Sequence, residues 1–301
     1  RGYIVDGQEG IVDPISMTGV RLEVDKHLVT GGATAIRNLY KCVEELGVEV
    51  LSLAFSGYAS SFACLSDTEK ELGVVLVDIG GGTTDVAIFV EGALSYSSVI
   101  PVGAINISKD LAAGLRVSLE SAEKIKLFLG QTPKQPVVPE NLEEKNRRRN
   151  LQLDDLDIST LMLPEEIRSV SQKTLVEGII KPRLNEIFTM VGLEIKRSGF
   201  GGMTPSGVVI TGGGAMTVGA IDSARKHLVM PVRIGSQLHI TGLIDEILTP
   251  AFVTSVGLLL YGVSDREEET ESRFGSFKKL GSFQIKGLAG KVVDLVKSLL
   301  P

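Results

Sequence analysis

Residues 74–90, Val-Val-Leu-Val-Asp-Ile-Gly-Gly-Gly-Thr-Thr-Asp-Val-Ala-Ile-Phe-Val, constrain this chain more than any other stretch. One apolar run (Val74–Ile79) enters three glycines and a second (Val86–Val90) leaves them, the pattern of two strands joined by a tight turn. The turn offers the backbone N–H groups of Gly80, Gly81 and Gly82, the hydroxyls of Thr83 and Thr84, and the flanking carboxylates of Asp78 and Asp85. Glycines admit φ > 0 and let a bulky anion approach the backbone. A carboxylate beside phosphate repels it unless a cation lies between, so Asp78 is expected to hold Mg2+, directly or through water. A glycine hairpin with no ligand is the plainer alternative.

The theme recurs downstream. Gly207–Thr211 reads as a buried strand, Gly212-Gly213-Gly214 as a turn and Met216–Leu228 as a helix. A strand, glycines and a helix start form a ready anion or nucleoside site, because first-turn N–H groups lack partners and the dipole is positive there. A close helix–strand crossing would also select small residues. Neither turn fits the commoner signatures. No G-x-x-x-x-G-K-[ST] is present, and a G-x-G-x-x-G frame begun at Gly80 or Gly212 ends on Asp85 or Thr217. Between the turns, Glu123 and Lys126 share one helix face, as a site pair or a surface ion pair.

The rest of the order feeds a sheet covered by helices. Short extended pieces occupy 1–25. Strands are expected at Lys26–Gly31, Val48–Phe55 and Ser97–Pro101. Helices are expected at 33–46, Tyr58–Leu65, 104–115, 118–129, Pro164 to about Arg197 (with a possible kink at Pro182) and 250–262. Residues 131–160, with Arg147–Arg149, read as a solvated loop. At 301 residues the length suits about two domains. Cys42 and Cys64 show no metal or redox spacing and read as reduced thiols.

Charge divides the chain. Residues 272–301 hold six basic side chains against Asp294, a net +5, which leaves −11 for residues 1–271 against a total of −6. The acidic body argues against nucleic acid, and the basic end favours an acidic surface. Residues 265–282 read as a polar linker. Beyond it Ile285, Leu288, Val292, Leu295, Val296 and Leu299 fall at helical spacing, with Lys286, Lys291 and Lys297 off that stripe. The segment is too short to span a bilayer but suits an interfacial helix on anionic lipid.

Asp78-Ile-Gly-Gly-Gly-Thr-Thr-Asp85 resembles the second phosphate motif of the actin-like ATPase superfamily, and Thr211-Gly-Gly-Gly-Ala215 resembles its adenosine motif. Five further stretches are similar to the bacterial cell-division FtsA family. They are Lys70–Val74 with Ala87–Gly92, Ser98-Val-Ile-Pro-Val-Gly103, Ile4-Val-Asp-Gly-Gln8, Gly19-Val-Arg-Leu-Glu23 and Ile179-Ile-Lys-Pro-Arg183. The resemblance covers nearly everything except about 131–163. It implies an α/β, actin-like (ribonuclease H-like) ATPase fold with an incomplete first domain and a C-terminal amphipathic helix.

The implied division is 1–25, the end of an inserted subdomain; 26–72, the rest of the first domain; 73–130 with 186–262, the second domain; 131–185, a small variable subdomain; 263–282, a linker; and 283–301, the membrane helix. By the same resemblance Gly80–Gly82 and Thr83 would wrap ATP phosphates and Asp78 would hold Mg2+; under a kinase-like rival the Asp78 carboxylate would be the catalytic base. Glu123 and Lys126 would contact the nucleoside, and Gly212–Ala215 would line ribose and adenine. The implied partners are an FtsZ-like tubulin homologue, other protomers in filaments and, through the tail, the cytoplasmic face of the inner membrane at the division site, with weak ATPase activity at most. The rivals are a pilus-assembly protein or a chaperone- or sugar-kinase-like enzyme of the same fold. Two departures stand out. Gly57-Tyr-Ala-Ser60 replaces a proline-bearing pattern in the first hinge helix, and the family's first phosphate motif is not found. The second departure leads to the expectation of a truncated chain with weak ATP affinity.

Overall fold

The structure, a computed structural model, describes residues 2–11, 13–131, 154–238, 240 and 245–264. Residues 1–258 form one compact unit, and of the second, 259–301, only 259–264 are described.

At the N-terminus β1 (Gly2–Val5), β2 (Gln8–Ile11) and β3 (Leu22–Asp25) make an antiparallel sheet ordered β2-β1-β3. Val5 pairs with Gln8 across Asp6-Gly7, at φ 48° and 84°. Positive φ at both central residues is the turn that matches strand twist, which is why an Asp-Gly pair closes this hairpin.

Residues 26–55 depart from expectation. Neither 26–31 nor 48–55 is a strand, and the helix between them, α1 (Ala33–Glu44), buries none of its residues. Leu28, Leu46 and Leu51 are exposed, Leu46 at 81%. A strand exists only with a ladder partner, and none of the strands described here pairs with these apolar segments. A hydrogen bond between His27 Nε2 and Ser97 Oγ (2.9 Å) ties the first of them to the strand Ala93–Ile100.

The core is a five-stranded sheet ordered β10-β9-β4-β5-β6, built from β4 (Val74–Ile79), β5 (Thr84–Val90), β6 (Ala93–Ile100), β9 (Val208–Thr211) and β10 (Val232–Ile234). Strands β10, β9 and β4 are parallel, and β4-β5-β6 is an antiparallel meander. Every residue of β4 and β5 is buried, which explains why both read as unbroken apolar runs.

Alternation gives the two faces different neighbours. Val75, Val77, Ile79, Val86, Ile88 and Val90 join a core with α4 (Ala104–Leu115), α5 (Leu119–Gln131) and a long helix carrying Leu184, Ile187, Phe188 and Val191. The opposite face, with Asp78 and Asp85, meets α2 (Ser56–Cys64), beyond which lies α3 (Asp67–Leu72).

The long helix starts at Gln172, not Pro164. Residues 155–157 (β7) pair with 169–171 (β8), and Glu165 accepts hydrogen bonds from Ser118 N and Ser121 Oγ, capping α5. The helical run comprises α6 (Gln172–Leu175), a π-type turn (Val176–Ile180) and α7 (Lys181–Ser198). Pro182 has no N–H to give the preceding turn, and the chain widens there, with Lys181 N donating to Val176 O. Downstream, α8 begins at Ala220 rather than Met216, because 213–216 close as a 3-10 turn and Gly219 turns at φ 84°. Residues 253–264 are helical (α9) after a 3-10 turn at Pro250–Phe252. Of the expected 131–160 loop, residues 132–153 lie outside the described residues, as do the tail residues Ile285, Leu288, Lys291, Val292, Leu295, Val296, Lys297 and Leu299, while 154–160 hold β7 and the start of a 3-10 turn at Ser159–Leu161.

Candidate functional site

The β4–β5 turn is the loop Gly80–Thr83, closed by Gly80 N donating to Thr83 O (2.9 Å). The start of α4 backs it: Ala104 N and Ile105 N donate to the carbonyls of Gly80 and Gly81 (both 2.9 Å). The carbonyls of Gly80, Gly81 and Thr83 are therefore engaged, while the N–H groups of Gly81, Gly82 and Thr83 have no hydrogen-bond partner among the described residues, and all three residues are exposed. A Cβ at Gly81 or Gly82 would meet nothing within 4 Å, so open space lies above the loop. Beneath it, a Cβ at Gly103 would sit 2.5 Å from Gly81 O, which makes Gly103 part of the cradle's floor. Thr84 departs from expectation: it is fully buried and its hydroxyl donates to Val102 O (2.8 Å), so it braces the turn and only Thr83 offers a hydroxyl outward.

The second glycine turn lies against the end of β4. Gly212 has φ 81°, and a Cβ there would come 2.3 Å from Asp78 Oδ1 and 2.5 Å from Ile79 O. At Gly214 it would come 2.3 Å from Ile79 Cγ2, while Gly213 is open. The close-packing reading holds at Gly212 and Gly214, which the neighbouring Asp78 and Ile79 leave no room to enlarge, whereas Gly213 borders open space. Ala215 is buried beneath. The two turns, 130 residues apart in sequence, thus meet at Asp78 and Ile79.

Asp78 and Asp85 pair directly across β4 and β5, and both are buried on the α2 face. Asp78 Oδ2 accepts from Ser60 Oγ (2.7 Å) and Thr254 Oγ1 (2.8 Å), and these hydroxyls lie 2.9 Å apart. Ser56 donates to Asp85 Oδ2. Burial raises the Asp85 pKa above the usual carboxylate value; the Ser56 hydrogen bond opposes this, and the charge of Asp78 adds to it.

Glu123 and Lys126 are not a surface ion pair. Lys126 is only 6% exposed, and its Nζ reaches Glu123 Oε2 (2.7 Å), Ser108 Oγ (3.0 Å) and Ala104 O (3.4 Å). Ser108 also donates to Glu123. Burial pushes the Glu123 pKa up, but hydrogen bonds from Lys126 and Ser108 and the Lys126 charge outweigh it, leaving a net lowering. Through Ala104 and Ser108 the pair braces α4, whose first residues hold the Gly80–Thr83 loop. Gly130, in the last turn of α5, approaches Met216 O, where a Cβ would be 2.8 Å away.

Sequence reading missed Ser56, Ser60, Ser108, Gly103 and Thr254. The i, i+4 spacing of Ser56 and Ser60 is a visible hint of a shared face. Thr254 carries no local signal, because its partner lies 176 residues away.

A mixed sheet with a glycine hairpin, a second glycine turn against it and helices on both faces defines an actin-like ATPase fold. Solved structures agree. A Spiroplasma citri MreB5 bound to ADP superposes with TM-score 0.58 at 17% identity, over 80% of this chain and 68% of that one. A PilM–PilN type IV pilus biogenesis complex gives 0.54 at 15%, over 76% and 58%. Family models for "Cell division protein FtsA" and "SHS2 domain inserted in FTSA" match residues 75–257 and 1–30. Cell division protein FtsA of Pseudomonas aeruginosa is 37% identical over 276 residues, 88% of this chain and 60% of that protein, and the Escherichia coli protein is 34% identical over 90% and 63%. The chain belongs to the FtsA cell-division family. It spans about 60% of the length of these relatives.

Proposed function

We propose that this chain carries one side of a nucleotide site, for ATP with Mg2+, and serves as an actin-like scaffold of cell division. The convergence of both glycine turns on Asp78 and Ile79 carries the reading. The free N–H groups of Gly81, Gly82 and Thr83 suit phosphate oxygens, and the open face at Gly213 suits the nucleoside. Glu123 and Lys126 keep α4 under the phosphate loop, with the exposed part of Glu123 available to a ribose hydroxyl. Asp78 holds the cation, whose charge, when bound, offsets that of the phosphates. The Spiroplasma citri MreB5 structures, one with ADP and one with AMPPNP, support a nucleotide on this fold.

Family membership supports a division-site role. There the chain would tie an FtsZ-like tubulin homologue to the cytoplasmic face of the inner membrane, self-associate into filaments and reach anionic lipid through residues 283–301. Among the described residues no helix is long and apolar enough to cross a membrane. The division into 1–25, 26–72, 73–130 with 186–262, 131–185, 263–282 and 283–301 is part of this reading. In it the exposed apolar surface of 26–55 belongs to the first domain. ATP turnover, if any, is slow. Isothermal titration of Mg-ATP into the wild-type chain and into Gly213→Asp tests the site. The expected result is weak binding abolished by the aspartate, and equal heats from the two proteins would refute it.

A further inference from the structure

We infer that Ser60 and Thr254 are positioning residues that fix the Asp78 carboxylate for a phosphate-bound cation, an assignment that rests on the nucleotide reading above. A carboxylate turns easily about its last side-chain torsion, which has a broad profile. Here two hydroxyls, from helices nearly 200 residues apart in sequence, land on the same oxygen, Oδ2. Oδ1 accepts no hydrogen bond from a described residue and lies beside Gly212, where a Cβ would be 2.3 Å away. One oxygen is thus committed to the scaffold, and the other is aimed at the place where the glycine turns meet.

The arrangement follows from register. Asp78 and Asp85 are directly opposed on antiparallel strands, about 5 Å apart by sheet geometry. Serines at i and i+4 on a helix have nearly the same separation. Helix α2 therefore serves both carboxylates with one face, Ser56 to Asp85 and Ser60 to Asp78. Only Asp78 receives a second hydroxyl, from α9, where Gly257 packs so tightly on α2 that its Cβ would lie 2.0 Å from Ala59 O. The close helix crossing brings Thr254 within reach of Asp78. A buried carboxylate needs some donor in any case. Two donors on one oxygen, with the other left open, do more than satisfy it: they select an orientation.

The test compares nucleotide affinity with and without the cation. ATP is titrated calorimetrically into the wild-type chain in Mg2+ and in chelator, and the ratio of the two dissociation constants is taken. The same is done for Ser60→Ala, Thr254→Val and Thr254→Ser, with Ser56→Ala as the control that loosens only Asp85. Loss of a charge-assisted hydrogen bond predicts that Ser60→Ala and Thr254→Val cut the ratio about tenfold while changing affinity in chelator less than about twofold. Thr254→Ser should restore the ratio, and Ser56→Ala should lower the thermal midpoint but keep it. If Ser60→Ala and Thr254→Val melt earlier yet keep the wild-type ratio, the hydroxyls only satisfy a buried charge and the assignment is overturned. Should Thr254→Val not fold, Ser60→Ala decides by the same criterion. No binding to the wild-type chain in either condition overturns the nucleotide reading itself, and this would be seen before any substitution is made.

Discussion

Lys126→Met isolates what the Glu123–Lys126–Ser108 cluster contributes. Methionine retains much of the apolar stem and removes an ammonium whose three donors reach Glu123, Ser108 and the Ala104 carbonyl. Breaking a fully buried pair costs about 3–5 kcal/mol. The Glu123 side chain is 42% exposed, so water takes over part of the lost interaction, and it keeps the Ser108 hydroxyl. These discounts set the expected loss at about 2 kcal/mol. Pairing the change with Glu123→Gln removes the stranded charge and should recover at least half.

The pH dependence has a definite sign. The folded pKa of Glu123 lies below its ordinary 4.5, so its stabilisation is present above that value and fades as pH falls through the folded one. Urea denaturation at pH 7 and at stepwise lower pH reads both effects. The wild-type advantage over Lys126→Met should shrink on the acid side of 4.5. A loss under about 0.5 kcal/mol, or one equally large in the double variant, would refute the reasoning.

Three further outcomes rest on other sites. Gly257→Ala forces a methyl to within 2.0 Å of the Ala59 carbonyl, a clash with backbone that no rotamer relieves; the loss in urea unfolding should be about 3 kcal/mol. Val229 is 86% exposed at φ 52°, a left-handed conformation unfavourable to a β-branched side chain, so Val229→Asn should gain about 1 kcal/mol, and a loss would contradict the strain. Burial raises the Cys64 thiol to about 12, and Cys42 is exposed. A maleimide at mildly alkaline pH should therefore label Cys42 at once and Cys64 only on unfolding.

What was legible in the sequence follows from how local each signal is. Strands β4 and β5 and their turn could be read because burial on both faces produces an unbroken apolar run ending in glycines. Helices α4 and α5 followed from helical periodicity. The turn at 212–214 was visible, but its dual nature was not: only the contacts with Asp78 and Ile79 separate Gly212 and Gly214 from Gly213. Residues 26–31 and 48–55 carry strand composition yet form none, because a ladder needs a partner that composition cannot supply. The helical pattern extends back over 164–171, because nothing local reveals that Glu165 is spent on capping α5. Thr84 misled for a related reason: alternation turns it inward to Val102 while Thr83 stays outside. Thr254 was out of reach, since its role depends on a helix crossing far from it in sequence.

Hydrogen–deuterium exchange of the wild-type chain, with and without millimolar Mg-ATP, tests the central claim most directly. Two distant glycine turns forming one nucleotide surface predict slower exchange at amides 81–83 and 213–215 together, with no change in the N-terminal sheet at 2–25. Protection at only one turn, or at neither while binding is independently detected, would contradict the account.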